Sequence, residues 1–489
     1  MKLIFKKWLQ RLGSALALIL LTVFCVRAWD AWRSPPLKLW HTEAPHELKA
    51  RQIDAADWEA WIKAENAVFD EVRTRVTEKL PPEDQLPSNR YFAGSPLNPE
   101  HFAVNWNRSF VMMPDGPPRG AVVLLHGLTD SPYSLRHIAD LYRRRGFVAV
   151  GIRLPGHGTV PAGLTRVRDG DWMAATRLAV RTARKLVGEG AALHIVGYSN
   201  GGALAVRYTL DALDDAALPK PDRVVLISPM IGITSFARFA GVLGWPSMFP
   251  SFAKAAWLDV IPEYNPFKYN SFPVNGARQS SQMARAVRDA LEARAGSGAL
   301  DKLPPILTFQ SVLDSTVLSS AVVDTLYAKV PANHSELVLF DRNHATEMRA
   351  LIRPRNADLP HTLLPPPPRK YDVTVVSNQG SQVVEARRVA AGDSATSAVA
   401  LSARYPEDTF SLSHVALPFP PDDALYGSAP TDEESFGIHL GTVAARGERG
   451  ALIVSTDTLM RASSNPFFDY LLGRIDGDIP GAPTTSSPP

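Results

Sequence analysis

Short runs rich in Val, Ile, Leu and Ala recur between residues 105 and 345, separated by longer segments whose apolar residues return every three or four positions. The runs at 106–113, 121–125, 147–152, 193–196, 224–227, 306–310 and 336–340 predict strands. The segments 134–145, 172–187, 203–213 and 319–330 predict helices. Strands that are apolar without alternation are buried on both faces, and helices between them act as crossovers. The pattern therefore predicts an α/β protein with a mostly parallel central sheet covered on both sides. Functional residues in such a sheet gather beyond the C-terminal ends of the strands.

The pattern breaks in three places. After Ser228-Pro229 it stops until about residue 303. That stretch carries Phe236, Phe239, Trp245, Phe249, Phe252, Trp257, Tyr264, Phe267, Tyr269 and Phe272, and reads as a lid or cap insertion over 230–303. Before the sheet, 33–104 divides into a polar, Pro-containing linker to about residue 50 and an amphipathic helix over 57–80, stopped by Pro81-Pro82 and expected to pack on the main domain. After the sheet, 346–477 reads as an irregular C-terminal extension packed on the core. It holds a proline run at 364–369, a hairpin from 371–376 and 383–389, a strand at 409–417 and a closing helix at 465–475. Residues 478–489 have the composition of a disordered tail. The core thus splits into 105–229 and 304–345.

Composition narrows the function by exclusion. A net charge of +3 over 489 residues, without a basic stripe interleaved with aromatics, gives no case for nucleic acid. The single cysteine, Cys25, excludes an internal disulfide framework and a Cys-based zinc site, and no spaced His/Asp/Glu cluster suggests another metal. At the N-terminus Lys2, Lys6, Lys7 and Arg11 precede an apolar run over 12–26, with Trp29 and Trp32 beyond it. Residues 1–32 read as a signal anchor that leaves the remaining domain membrane-attached outside the cytoplasm. The alternative is a cleaved signal with Val26-Arg27-Ala28 at the cleavage site and a secreted product.

The chemistry centres on Gly197-Tyr198-Ser199-Asn200-Gly201, between a predicted strand and a predicted helix. This is the nucleophile-elbow pattern, in which Ser199 takes a strained backbone conformation and the two glycines remove Cβ atoms that would collide with the flanking elements. A serine hydroxyl needs a base, an acid that orients it, and donors for the developing oxyanion. His126-Gly127-Leu128, also between strand and helix, supplies a tight turn whose Leu128 N–H would join that of Asn200 as an oxyanion hole, each donor contributing about 3 kcal/mol in the transition state.

Three motifs in order, His126-Gly127-Leu128-Thr129-Asp130-Ser131-Pro132, Arg153-Leu154-Pro155-Gly156-His157-Gly158 and Gly197-Tyr198-Ser199-Asn200-Gly201, make the chain resemble α/β-hydrolases of the monoglyceride lipase and bacterial carboxylesterase type over residues 105–345. The resemblance implies the α/β-hydrolase fold and the chain order serine, acid, histidine. Asp314, just past the 306–310 strand, matches the acid's place. His157 is structural in such loops.

Two histidines compete for the base. His344 directly follows the 336–340 strand, the usual position. His414, in Phe410-Ser411-Leu412-Ser413-His414-Val415, resembles the Ser-Gly-His-Val turn of small carboxylesterases, but requires an insertion of about seventy residues after the last strand. Local context tips the choice slightly to His414; spacing does not decide it.

The expectation is a serine hydrolase cleaving small-molecule or lipid esters through an acyl-enzyme, with no cofactor and no metal. Two alternatives stand beside it: a peptidase or amide hydrolase of the same fold, or a non-catalytic module that keeps the fold. Oligomeric state is not legible.

Overall fold

The computed structural model describes residues 2–33, 35–232, 250–314, 316–346, 359–379, 383–407, 409–431, 433–442 and 464–481. Twelve strands are present among them: β1 (Phe110–Met112), β2 (Gly120–Leu125), β3 (Phe147–Ile152), β4 (Ala192–Tyr198), β5 (Arg223–Ile227), β6 (Trp257–Asp259), β7 (Phe272–Pro273), β8 (Ile306–Ser311), β9 (Glu336–Phe340), β10 (Asp372–Ser377), β11 (Val384–Val389) and β12 (Thr396–Leu401). Ten form one sheet in the order β1-β3-β2-β4-β5-β8-β9-β10-β11-β12, while β6 and β7 pair separately. From β3 to β10 the neighbours run parallel; β1 at one edge and β11 and β12 at the other are antiparallel.

Side chains alternate across this sheet as strand geometry requires. Ala121, Val123 and Leu125 of β2 point into one apolar layer, with Leu193 and Ile195 of β4. Val122 and Leu124 point into the other, with Val196 and Tyr198. The first layer is covered by the helices Asp169–Val187, Asn200–Asp214 and Val274–Arg294 through residues such as Trp172, Leu204 and Val287. The second is covered by the helices Arg136–Arg144 and Phe468–Gly477 through Ile138, Tyr142, Phe468 and Leu471. The α/β-hydrolase fold expected from the motifs is the fold of this chain.

Several local expectations differ from the structure. The 106–113 strand shrinks to β1, an edge strand paired with β3. The helix over 319–330 is one α turn followed by a π-helical segment, Val322–Tyr327. The segment 409–417 is not a strand: its backbone is tied instead to the ends of strands it does not pair with. The boundary at 345 cuts through the sheet, because β10 pairs in parallel with β9 and the 371–376/383–389 hairpin extends it.

The predicted linker is not a free linker either. Trp40 is buried and Glu47 reaches into the core, where the Arg153 guanidinium bonds Glu47 at 2.6 Å and Glu65 at 3.0 Å. Glu65 belongs to the amphipathic helix (Trp58–Arg75), which Asp57 caps by accepting from the Ala60 N–H. At the other end Ile479 is buried and Asp478 pairs with Arg223. The rest of the predicted disordered tail, from 482, lies outside the described residues, as do Phe236, Phe239, Trp245 and Phe249 of the insertion. The N-terminal helix Lys2–Arg33 contains a 22-residue apolar span, Phe5–Val26, that is long enough to cross a membrane and is not buried against the rest of the chain.

Candidate active site

Strand β4 ends at Tyr198, and Ser199 follows with φ 54° and ψ −115°, in the left-handed half of backbone space that a non-glycine residue adopts only under constraint. The constraint is visible. The Ser199 N–H donates to the Ile227 carbonyl at 2.9 Å, and its own carbonyl accepts from Gly202 and Met230. A Cβ on Gly201 would lie 1.9 Å from the Leu125 carbonyl oxygen, and one on Gly197 would lie 2.4 Å from the Gly201 oxygen. Strand and helix therefore approach to a distance only glycine permits, and the Ser199 side chain is left at the turn's apex.

Three side chains meet there. The His414 Nε2 lies 3.0 Å from Ser199 Oγ, and its Nδ1 lies 2.9 Å from Asp314 Oδ2. An ionised carboxylate only accepts, so the ring carries its proton on Nδ1 and leaves Nε2 to accept from the serine hydroxyl. Asp314 sits in the turn after β8. Its Oδ1 accepts from the Thr316 and Val317 amides at 2.8 and 2.9 Å, and its Oδ2 also accepts from Gln310 Nε2. Burial alone would raise the Asp314 pKa. The charge and hydrogen bond of His414, with the two backbone donors, outweigh it and hold the carboxyl below its ordinary value.

His344 is elsewhere. Its Nε2 pairs with Asp341 Oδ2 at 2.8 Å, and Asp341 also accepts from Ser377 Oγ at 2.9 Å. Among the described residues it has no hydrogen bond to Ser199 or Asp314. Of the two histidines left open by the sequence, the structure brings His414 to the serine and uses His344 to close a turn.

The other predicted pieces also have defined places. Leu128 lines the same cavity as Ser199 and His414, and Asn200 opens the helix Asn200–Asp214, whose N-terminal dipole favours negative charge at that point. Neither the Leu128 nor the Asn200 amide donates to another group among the described residues. The loop carrying Leu128 is braced by His126: its Nδ1 bonds the Gly127 carbonyl, and its Nε2 accepts from the Leu154 N–H. Burial, then the neighbouring His157, keeps His126 far below the usual histidine pKa and hence neutral. His157 is likewise buried and held down to about 4, chiefly by burial.

The cavity has a volume of about 330 Å³. Leu128, Met230, Ile261, Phe272, Val415 and Leu440 supply its apolar wall, and Asp259, Asn265, Lys268 and Asn270 its polar one. Much of this wall is a strap between β6 and β7, tied to the loop carrying Leu128 by the Tyr269 N–H, which donates to the Thr129 carbonyl at 2.7 Å. Asp130, the next residue of that loop, is buried. Burial raises its pKa to about 6 against the lowering effects of Lys268, Ser131, Ser134 and His414.

Sequence reasoning missed the supports of this site. Asp423 is fully buried and takes hydrogen bonds from Arg136 at 2.5 Å, Tyr133 at 2.8 Å and His137 at 2.9 Å. Burial pushes its pKa up, but Arg136 and His137 win and hold it well below the usual carboxylate range. The hydroxyl of Tyr198, which precedes Ser199 in sequence, donates to the His414 carbonyl at 3.4 Å. No local pattern marks these residues; their partners lie hundreds of positions away.

Comparison with known proteins gives partial matches. Residues 116–342, just under half of the chain, match the family model described as serine aminopeptidase, S33. A thermostable monoacylglycerol lipase of Bacillus sp. (strain H-257) is 31% identical over 85 residues, which are 17% of this chain and 33% of that protein. The match therefore spans about a third of the relative's length. Among solved structures, one described under the metagenome-derived lipolytic enzymes LipS and LipT is 22% identical with a TM-score of 0.39, covering 48% of this chain and 88% of that one. A soluble variant of the Saccharomyces cerevisiae monoglyceride lipase is 14% identical with a TM-score of 0.36, covering 47% and 81%.

Proposed function

Taking as premise that this chain is an α/β-hydrolase, we propose that it is a serine hydrolase of carboxylic esters, of the esterase and lipase kind, acting through an acyl-enzyme. The observation that carries this is the unbroken chain Ser199 Oγ–His414 Nε2 and His414 Nδ1–Asp314 Oδ2, at 3.0 and 2.9 Å. In this reading His414 takes the Ser199 proton as Oγ attacks the ester carbonyl. The Leu128 and Asn200 amides hold the tetrahedral oxyanion, and Asp314 fixes the imidazole tautomer and stabilises the imidazolium. His414 returns the proton to the leaving alcohol. Water, deprotonated by the same ring, then releases the acid. Every step uses side chains and amides of this chain.

The substrate class follows from the cavity. The apolar residues of the cavity wall suit an acyl chain, and its polar residues suit the alcohol of a small or lipid ester. The N-terminal helix suits an anchor. Lys2, Lys6, Lys7 and Arg11 precede its apolar span, which orients the catalytic domain away from the cytoplasm. A cleaved signal with a secreted enzyme is the other product of the same segment.

The amide-hydrolase reading draws on the description of the matching family model. An aminopeptidase needs a carboxylate free to meet a substrate's amino terminus. Glu263 of the strap is buried and spent on the Ser271 and Asn270 amides, so Asp259 in the cavity wall is the carboxylate that this reading would use. We rank esters first on the apolar residues that line the cavity with Ser199.

A fluorophosphonate probe should label the full chain in detergent, and Ser199→Ala should abolish the labelling. A p-nitrophenyl ester series should then show turnover rising from acetate to medium acyl chains. Absence of Ser199-dependent labelling would refute any serine-hydrolase reading. Labelling with activity on aminoacyl amides alone would move the enzyme to the peptidase reading.

A further inference from the structure

We infer that Asn343, in the turn after β9, is a positioning residue for the His414 imidazole. The inference rests on His414 being the base. A general base must be held within a fraction of an ångström of its nucleophile, and a displacement of 1 Å costs about a hundredfold in rate. Yet His414 arrives on a segment, 405–417, that contains no strand or helix among the described residues. Its backbone has no ladder of its own to hold it.

The ends of the central strands take over that task. The Asn343 N–H donates to the Phe410 carbonyl at 2.8 Å. Its Nδ2 donates to the carbonyls of Thr409 at 2.8 Å and Pro406 at 3.3 Å. Its Oδ1 is fixed in turn by Asn378 Nδ2 at 2.8 Å and by the Ala345 N–H at 3.0 Å. Asn343 is thus buried with both ends of its amide committed. Further along the same segment, Ser311 Oγ of β8 donates to the Leu412 carbonyl at 2.9 Å, and Tyr198 of β4 donates to that of His414 itself.

Five carbonyls in the segment leading to the imidazole are therefore held from the C-terminal edge of β4, β8 and β9, the edge that also carries Ser199 and Asp314. The turn in which His344 sits is the main clamp. His344 braces Asp341, whose backbone carbonyl accepts from the Tyr405 hydroxyl.

An aspartate is isosteric with Asn343 and keeps the Oδ1 acceptor, but it sets a carboxylate oxygen, in place of the Nδ2 donor, against the Thr409 and Pro406 carbonyls. Asn343→Asp should lower kcat about ten- to a hundredfold on a p-nitrophenyl ester, with KM within about twofold, in a variant whose circular dichroism is unchanged. Ser311→Ala removes one donor to the same segment and should give a smaller kcat loss of the same kind, which keeps the test open if Asn343→Asp does not fold. The decisive readout is the double mutant. In a His414→Ala background, where no base remains to be positioned, Asn343→Asp should cost nothing further. Additive losses in that background, a loss confined to KM, or unchanged kcat in both folded variants would overturn the inference alone. Full turnover in His414→Ala would overturn the base assignment and this inference with it.

Discussion

Two regions of this molecule contain the same pair of side chains and put them to different ends. In the turn after β9, His344 bonds Asp341 at 2.8 Å; past the sheet, His414 bonds Asp314 at 2.9 Å. The first pair is local, three residues apart, and its carboxylate is shared with Ser377. The second joins residues a hundred positions apart, and its other ring nitrogen faces Ser199. An Asp–His contact is therefore no signature by itself. What the second nitrogen meets separates a structural histidine from one able to move a proton.

The largest expected effect tests the aspartates side by side. Asp314→Asn leaves the shape intact but lets the imidazole take the wrong tautomer, and should lower kcat by about 10³- to 10⁴-fold. Asp341→Asn should leave kcat of the folded enzyme within about tenfold. Steady-state ester hydrolysis at matched folded concentrations reads both, and comparable losses would erase the distinction.

Asp423 comes next, because it fixes the chain just beyond His414 as Asn343 fixes the chain before it. Asp423→Ala leaves the buried Arg136 with only the more exposed Glu434, at 3.1 Å, and should cost about 3–5 kcal/mol at most by denaturant unfolding at neutral pH. The folded-state pKa of Asp423 is depressed. Its stabilisation is complete above the unfolded value of about 4 and is lost as pH falls towards the folded one, so the gap between variant and parent should close in acid.

Asp130 gives the smallest effect and the opposite sign. Burial raises its pKa to about 6, so the unfolded chain ionises first and stability falls as pH climbs from about 4 to about 6. Asp130→Asn escapes this and should be more stable than the parent at pH 8, by about 3 kcal/mol at most, with no gain at pH 3.5. Thermal unfolding at the two pH values measures it; an equal shift at both would contradict the burial argument.

How far the sequence reached follows the same division. Strands at 147–152 and 336–340 were readable to the residue, since runs of branched apolar side chains mark a doubly covered strand. The elbow at Ser199 was readable because its glycines and its serine lie within five positions. Asp314 was legible only through its place after β8. His414 could not be chosen over His344 on spacing, because the β10–β12 strands that carry the chain away from β9 and back lie between them. The Glu47–Arg153–Glu65 cluster was hidden for a related reason: burying an arginine with two glutamates leaves no mark along the chain when the three are 18 and 88 residues apart.

The most direct test of the account is kcat on a p-nitrophenyl ester for His414→Ala and His344→Ala, measured together on folded protein. The account predicts a loss of three or more orders of magnitude for His414→Ala, about that of Ser199→Ala, and a loss below about tenfold for His344→Ala. Retained turnover in His414→Ala, or an equal collapse in His344→Ala with its fold intact, would contradict it.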